Sequence, residues 1–503
     1  MAKTFNKAVS GSFWGLLANV IDALAKFVTI PMLIGYYGKA DYGLIALAFS
    51  LNVYLRLMEL GMSTGAIRFF SMWFAKKETE KIIKVSQSSI VFYGAIGTIN
   101  GCIFLFLSFN PSFFSLKPNQ VEIFRWMMYI LAASAVFNWT SYVVTQLLSA
   151  VGEISSRNKT KVISSVLNYG TAFLAIKLGL SLPFYFFLYI LSTLIVIPLN
   201  VMRLKVSNIP ILQLLAPKWH FQAFKEVLGY SVAIFAMGIF QFTANNIRPI
   251  LLISFSGNGS EVLTDYRILQ TICMLVISFG GVFLSVLLPI SSKNYAEGNH
   301  KNIEALIYNG TKYISVFLSF IIFILILNAK SILSIYVGKE YVYLSNWLII
   351  WLLTVLFYLH NSPVSSLVLS TGKTRFLVYS SAFSCIVSII VTIALAKKYD
   401  VGAAVIGYLV YIFIQMACYY LYYIPNVLKL NSKRIFFECF LPSVFVGAIA
   451  SLSVHYIKNY FSSNINVLAL IITSLCFVVL FALLIIVFII KPAELRSLKS
   501  RFV

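Results

Sequence analysis

The chain has 503 residues, of which 60% are hydrophobic and only 11% are charged, and Lys and Arg outnumber Asp and Glu by 39 to 16. Apolar runs of about 20 residues recur along its whole length, which excludes a soluble globular protein and predicts an all-α polytopic membrane protein. The positive charge does not indicate nucleic-acid binding, because the basic residues fall mainly in short loops, where they orient a membrane protein.

Fourteen transmembrane helices are predicted from the apolar windows. They cover residues 9–35, 42–67, 86–109, 123–150, 160–180, 183–203, 227–254, 261–290, 313–328, 342–369, 375–396, 402–424, 436–457 and 466–490. With this count, 25 of the 39 basic residues lie on one side of the membrane and nine lie in loops on the other side. The positive-inside rule therefore predicts that both termini are cytoplasmic.

Polar and charged residues form one-sided stripes on the first two predicted helices. The first stripe comprises Ser12, Gly15, Asn19, Asp22, Lys26 and Thr29, and the second comprises Asn52, Arg56, Glu59 and Ser63. Spacings of three and four residues place each set on one helical face. Because a charge that faces lipid is costly, both stripes are expected to face a polar interior.

Two later helices carry similar stripes. The seventh has Gly238, Gln241, Asn245 and Arg248, and the fourth has Ser134, Asn138, Ser141 and Thr145. Pro249 lacks a backbone N–H donor and is expected to kink the seventh helix. The uncharged stripe of the fourth helix either lines a polar path or makes hydrogen bonds between helices.

Short motifs recur at nearly one offset along the chain. Residues 31–38 resemble residues 249–257, residues 41–42 resemble residues 265–266, and residues 148–152 resemble residues 369–372. The matches lie six helices apart, so they predict two six-helix lobes of the same orientation, residues 1–203 and residues 227–424. Residues 204–226 are expected to connect them along the cytoplasmic membrane surface, and residues 425–503 to add two helices and a basic cytoplasmic tail.

These motifs resemble those of a transporter family. The residues that carry the resemblance are Pro31, Gly38, Asp41-Tyr42-Gly43, Leu60-Gly61, Ala66, Arg68, residues 369–374 and residues 399–404. In this order they resemble the polysaccharide transporters of the multidrug/oligosaccharidyl-lipid/polysaccharide (MOP) superfamily, the O-antigen or Wzx-type flippases. The resemblance implies a V-shaped pair of lobes around a cationic cavity in the bacterial cytoplasmic (inner) membrane. It also implies that an undecaprenyl-diphosphate-linked oligosaccharide, the repeat unit of a surface polysaccharide, is moved to the outer leaflet.

A cargo with a diphosphate requires positively charged ligands, and the planar guanidinium of arginine donates paired hydrogen bonds to phosphate oxygens. The predicted substrate-binding residues are Lys26, Arg56, Asn245, Arg248 and Arg267. Asp22 and Glu59 are predicted to respond to the proton or Na⁺ that drives transport. In the alternative, Asp22 and Lys26, or Arg56 and Glu59, only neutralise each other along one helix.

The expected partners are the lipid-linked oligosaccharide, a proton or Na⁺, membrane lipids, and a polymerase or ligase of the same pathway. A drug/cation antiporter of the same superfamily is one alternative, although the basic balance inside the spans favours an anionic cargo. A membrane glycosyltransferase or polymerase is less favoured, because the outer loops are short and no Asp-x-Asp motif occurs. The histidines and cysteines lack metal-ligand spacing, so no cofactor is expected and the chain is predicted not to be an enzyme.

Overall fold

The computed structural model of the chain describes residues 2–296, 300–371, 373, 375–461 and 467–489. Within these ranges the regular secondary structure is entirely helical. Nine of the described helices are long and apolar enough to cross a membrane, and a bent pair adds a tenth candidate span. The prediction of an all-α polytopic membrane protein is confirmed.

The chain packs into two compact units. Unit 1 comprises Met1–Arg267 and Leu395–Asp400, and unit 2 comprises Ile268–Ala394 and Val401–Val503. The lobes inferred from the sequence repeat, residues 1–203 and 227–424, divide the chain at other positions and stay a prediction.

Unit 1 contains the first eleven helices and the beginning of the twelfth. They are α1 (Ala2–Tyr37), α2 (Lys39–Leu55), α3 (Met62–Lys76), α4 (Thr79–Phe109), α5 (Pro118–Ala150), α6 (Ile154–Lys177), α7 (Leu182–Leu194), α8 (Val196–Arg203), α9 (Ile211–Leu215), α10 (Phe221–Asn246), α11 (Arg248–Phe255) and α12 (Glu261–Ala296). The most extensive helix–helix interfaces are those of α4 with α5 and of α1 with α6, and α3 packs on α5 and α10.

Unit 2 contains the rest of α12 and most of the remaining helices. They are α13 (His300–Leu327), α14 (Ala329–Tyr336), α15 (Ser345–Leu359), α16 (Ser362–Thr371), α17 (Arg375–Tyr399), α18 (Val401–Cys418), α19 (Ser432–Arg434), α20 (Leu441–Phe461) and α21 (Val467–Phe488). Two π-helical segments, Tyr419–Val427 and Ile435–Phe440, extend α18 and precede α20. Helix α20 packs between α13 and α21, and the hydroxyl of Thr473 on α21 donates a 2.8 Å hydrogen bond to the Asn328 side chain beside α14.

Helices occupy all fourteen positions predicted from the apolar windows. The predicted spans that fall outside the ten candidates coincide with α1, α6, α10 and α12, which carry more polar and charged residues. The count of fourteen membrane crossings, with both termini in the cytoplasm, stays a prediction.

The second predicted span is a broken helix. Helix α2 ends at Leu55, a 3-10 turn follows at Arg56–Glu59, and the axis bends by 49° before α3. Leu60 and Gly61 have positive φ angles of 52° and 72°, a left-handed conformation that ends the 3-10 turn before α3 begins. The prediction of a continuous stripe from residue 52 to residue 63 is therefore wrong, because its members lie on two helices and an intervening turn.

The seventh predicted span breaks where Pro249 predicted a kink. Helix α10 ends at Asn246 and α11 begins at Arg248, with Pro249 in its first turn. Proline fits the first turn of a helix, where its missing N–H would have no partner within the helix.

The connector of residues 204–226 packs in part against unit 1. Leu204 and Leu214 are fully buried in the core of unit 1. Ser86 on α4 donates a 2.7 Å hydrogen bond to the Leu214 carbonyl oxygen, and the backbone N–H of His220 donates to the Ser88 hydroxyl at 2.8 Å. Helix α4 therefore supplies polar partners for the backbone of this segment, and its position along the membrane surface stays a prediction.

Candidate functional site

The predicted site residues all lie in unit 1. They are Asp22, Lys26, Arg56, Glu59, Asn245, Arg248 and Arg267. Sequence reasoning placed these residues around one polar interior; they lie on α1, the turn after α2, α10, α11 and α12, and their convergence on one site stays a prediction.

Asp22 and Lys26 form an ion pair on α1. The distance from Lys26 Nζ to Asp22 Oδ2 is 2.7 Å, and both side chains are partly exposed. The Ser165 hydroxyl on α6 donates a weaker 3.4 Å hydrogen bond to Asp22 Oδ1. The ion pair that the alternative of mutual neutralisation requires is therefore present. An ion-coupling role for Asp22 stays a prediction.

Arg56 and Glu59 lie in the 3-10 turn between α2 and α3, and they engage different groups. Glu59 Oε1 accepts a 2.8 Å hydrogen bond from the backbone N–H of Ser63, at the start of α3. The exposed Arg56 guanidinium lies 5.5 Å from the centre of the Tyr142 ring, within cation–π range. Among the ion pairs of the described residues, none joins Arg56 to Glu59, although both charges act on Tyr142, and the alternative of mutual neutralisation stays open for this pair.

A buried polar network supports this turn from behind. Gln146 on α5 donates a 2.6 Å hydrogen bond to the Tyr93 hydroxyl on α4 and a 3.3 Å bond to the Ser63 hydroxyl on α3. Tyr142 packs beside Tyr93, with ring centres 5.8 Å apart. Sequence reasoning named Ser63 but missed Tyr93, Tyr142 and Gln146, because a Tyr or Gln in an apolar helix gives no periodic charge signal. The network fixes three helices around the turn that carries Arg56.

Arg248 and Arg267 lie in more enclosed surroundings. Arg248, at the first residue of α11, has only 3% of its surface exposed, so it does not present its charge to a ligand in this conformation. Arg267 makes a side-chain hydrogen bond with the buried Tyr42 hydroxyl. The Tyr189 side chain on α7 lies within electrostatic range of both Arg267 and Asp22. Asn245 is partly buried one turn before Arg248.

Two cavities in unit 1 were not predicted. One, of about 690 Å³, is lined by the aromatic rings of Tyr36, Tyr37 and Trp126 together with the carboxylates of Asp41 and Glu122. The other, of about 460 Å³, is bounded by α1, α5, α6, α7 and α8 and has Arg157 and Lys161 in its wall. The sequence assigned these two basic residues only to a cytoplasmic loop.

Carboxylate, thiol and imidazole groups do not gather into a metal site in the part of the chain that the structure describes. No three His, Cys, Asp or Glu side chains converge there closely enough to hold an ion.

Comparison with known proteins identifies the fold. The MatE family model matches residues 233–394, and a comparison with curated proteins gives no significant match. The structure is similar to the lipid II flippase MurJ in its inward closed conformation, with a TM-score of 0.72 and 15% identity over 93% of this chain and 97% of that chain.

Two further structures are similar. An inward-facing multidrug resistance MATE family transporter of the MOP superfamily gives a TM-score of 0.65 at 13% identity, over 88% of this chain and 96% of that chain. A MOP superfamily transporter from Pyrococcus furiosus, described as having a binding pocket of reverse polarity, gives 0.54 at 14% identity, over 90% and 96%. The chain therefore has the fold of MOP superfamily transporters. The matching family and structures are transporters rather than enzymes, which agrees with the sequence prediction.

Proposed function

We propose that the chain is a flippase that moves an undecaprenyl-diphosphate-linked oligosaccharide across the bacterial cytoplasmic membrane by alternating access. The observation that carries the proposal is the charge balance at the predicted site. Both predicted carboxylates are engaged locally, Asp22 with Lys26 and Glu59 with the Ser63 N–H, whereas Arg56 is exposed. The predicted site as a whole holds four cations, Lys26, Arg56, Arg248 and Arg267, against two carboxylates, so an anionic cargo fits better than a cationic drug.

Arg56 is the best-placed phosphate ligand of the set. It lies at a break between two helices, so its side chain is not confined to the face of a continuous helix. Tyr142 orients the guanidinium through a ring contact and a side-chain hydrogen bond, and the remaining N–H groups are the ones that a phosphate would use. A diphosphate offers oxygen atoms at the spacing that such a fork recognises.

The other basic residues take supporting roles in the proposal. Lys26 and Arg267 add positive charge on α1 and α12, and Asn245 adds an amide on α10. Arg248 becomes a ligand only in a conformation that exposes it, which suits a transporter that alternates between states.

The cavity of about 690 Å³ suits the sugar part of such a cargo. Tyr36, Tyr37 and Trp126 offer flat apolar faces to a sugar ring, and Asp41 and Glu122 offer acceptors to its hydroxyl groups. Pockets that combine apolar walls with a few oriented polar groups are typical binding sites for small polar molecules.

The proposal is tested by flipping in proteoliposomes. The cargo is an undecaprenyl-diphosphate oligosaccharide with a nitrobenzoxadiazole-labelled sugar, and external dithionite reports the fraction of label in the outer leaflet. We expect Arg56→Ala to slow flipping at least tenfold and Arg56→Lys to retain part of the rate, because lysine keeps the charge but not the planar fork. Lys205→Ala, which removes an exposed charge elsewhere in unit 1, is the matched control.

The results separate the site from the function. Equal flipping rates in wild type and Arg56→Ala would remove Arg56 from the site. Wild-type protein that leaves the labelled lipid unmoved, although correctly folded, would overturn the function.

A drug/cation antiporter is the second candidate. The MatE match over residues 233–394 and the partly exposed carboxylate of Asp22 favour it. Ethidium transport driven by a pH or Na⁺ gradient in the same vesicles, without lipid flipping, would establish this function instead.

A further inference from the structure

The cavity of about 460 Å³ in unit 1 is built as a receptor for an anion, and we propose that it binds a phosphate group. Its wall contains the cations Arg157 and Lys161. The uncharged polar residues of the wall are Thr145, Asn158, Thr160, Ser164, Thr193 and Asn200. Among the described residues that line the cavity, none is acidic.

Arg157 and Lys161 stand in positions that do not favour the helix itself. They are four residues apart on α6, so the two like charges lie one turn apart on the same face and repel each other. Arg157 also lies in the first turn of α6, where the helix dipole disfavours a cation. A bound anion between the two side chains would remove both penalties.

The neighbouring charges leave this region positive. Lys161 lies within electrostatic range of Asp22, Lys26 and Arg157. The Asp22 carboxylate already holds Lys26 at 2.7 Å. Glu153, the nearest acidic residue along the chain, is not part of the cavity wall.

Hydrogen bonds within the wall hold its donors in place. Arg157 Nη1 donates to the Ser149 hydroxyl at 2.9 Å, which anchors one edge of the guanidinium. Thr160 donates to Asn200 Oδ1 at 2.9 Å, so the NH₂ group of Asn200 is the part that a ligand can use. Asn158 and Thr160 are more than nine-tenths buried, and such preset donors suit a compact anion better than a mobile surface charge would.

Orientation in the membrane explains a basic cluster here but not its geometry. Lys159 stands between the two cavity residues and contributes the same charge to the positive-inside rule. It lies elsewhere, 4.9 Å from the centre of the Trp14 ring, and does not line the cavity. Lys159 therefore provides a matched control, because it carries the same charge on the same helix but lies outside the cavity wall.

Phosphate is the chemical class that these groups recognise, through a guanidinium fork, an ammonium group and several neutral donors. The volume exceeds that of one phosphate ion, so the cavity has room for a diphosphate or for a phosphate ester with part of its organic group. Two sources supply this chemistry, a lipid headgroup and a soluble phosphate ester. The inference needs binding alone and is independent of flipping.

The first test measures binding of inorganic diphosphate to the purified full chain in neutral detergent by isothermal titration calorimetry. We expect Arg157→Ala and Lys161→Ala each to weaken binding about tenfold or more, and Lys159→Ala to leave it within about twofold. The diphosphate affinity of Arg157→Lys should lie between those of wild type and Arg157→Ala. Because this variant keeps the charge, it also serves where the alanine variant does not fold. Absence of diphosphate binding by wild type, or equal loss with Lys159→Ala, would overturn the site.

The second test identifies the source of the phosphate. Wild type, Arg157→Ala and Lys159→Ala are released for native mass spectrometry from nanodiscs of phosphatidylcholine with phosphatidylglycerol. If the site takes a lipid headgroup, wild type and Lys159→Ala retain phosphatidylglycerol and Arg157→Ala loses it. Equal lipid retention by all three, together with Arg157-dependent diphosphate binding, assigns the site to a soluble phosphate ester. Equal retention without such binding overturns the proposal.

Discussion

Lys39 and Asp265 form an ion pair at 2.9 Å that joins the start of α2 to the first turns of α12. Only 9% of the Asp265 side chain is exposed, so removal of Lys39 would leave a largely buried carboxylate without this ion pair. The Thr264 hydroxyl donates a 2.6 Å hydrogen bond to the Lys39 carbonyl oxygen and closes the contact from the other side. Asp265 belongs to one of the sequence motifs predicted to repeat, and Asp41 is its counterpart near Lys39.

We expect Lys39→Met to destabilise the protein by on the order of 3 kcal/mol, because it leaves the Asp265 carboxylate buried without its lysine. Lys117→Met is the matched control. It breaks a 2.8 Å pair with Glu261 whose side chains are 57% and 35% exposed, and should cost at most about 1 kcal/mol. Unfolding in mixed micelles measures both changes. A loss of unfolding free energy for Lys39→Met no larger than that for Lys117→Met would contradict the claim that burial makes the Lys39–Asp265 pair important.

Gly43 on α2 lies directly against the backbone of residue 260. A Cβ atom at Gly43 would overlap the Ser260 carbonyl oxygen, whereas one at Gly35 meets nothing within 4 Å. Because backbone cannot move aside as a side chain can, Gly43→Ala should destabilise the protein by a few kcal/mol, on the order of the larger overpacking costs. Gly35→Ala should be neutral or slightly stabilising, since alanine favours a helix. Thermal unfolding in detergent compares the two variants. Equal unfolding midpoints would show that the Ser260 backbone moves aside for the new methyl group.

Local chemistry determined what the sequence could predict. Apolar runs gave the positions of the helices, Pro249 gave the break before α11, and a spacing of four residues anticipated the contact between Asp22 and Lys26. These features depend on neighbours within one turn or on hydropathy alone.

Long-range contacts determined what the sequence could not predict. Leu60 adopts a left-handed conformation that a leucine rarely takes, so the break before α3 had only Gly61 as a signal. The connector is held by Ser86 and Ser88 on α4, far away in the chain. From the sequence, Arg157 indicated only the orientation of the chain in the membrane. Its place in a cavity wall depends on α5 and α8.

Asp400, between α17 and α18, links the stability of the protein to pH. Burial raises the pKa of the Asp400 carboxyl above its ordinary value, and Lys39 opposes this rise only in part. A raised carboxyl pKa gives stability that is fully present below the pKa of the unfolded chain, near 3.8, and lost as pH rises through the folded value. Asp400→Asn should therefore raise the melting temperature modestly at pH 7, and this gain should disappear as the pH falls toward 4.

Asn is the suitable replacement because Asp400 has a positive φ of 47°, which asparagine tolerates. The 2.8 Å hydrogen bond from Asn258 can also persist to the new amide oxygen. Asp400→Ala, which loses this bond, should destabilise at every pH. A gain for Asp400→Asn that persisted unchanged at pH 4 would show that charge is not its cause.

The pair of Asp22 and Lys26 separates ion coupling from charge balance. A carboxylate that only balances its neighbour can be removed together with it, because replacing both members of a partly buried pair is often tolerated. A coupling carboxylate cannot be removed in this way, since transport needs its change of charge.

We expect Asp22→Asn to abolish transport driven by a pH or Na⁺ gradient in proteoliposomes, and the double variant Asp22→Asn with Lys26→Gln to stay inactive. Ser165→Ala is the control, because it removes only the uncharged 3.4 Å contact to Asp22 and should keep gradient dependence. Gradient-driven transport at the wild-type rate by the double variant would make the pair structural and place the coupling group elsewhere, with Glu59 next to be tested.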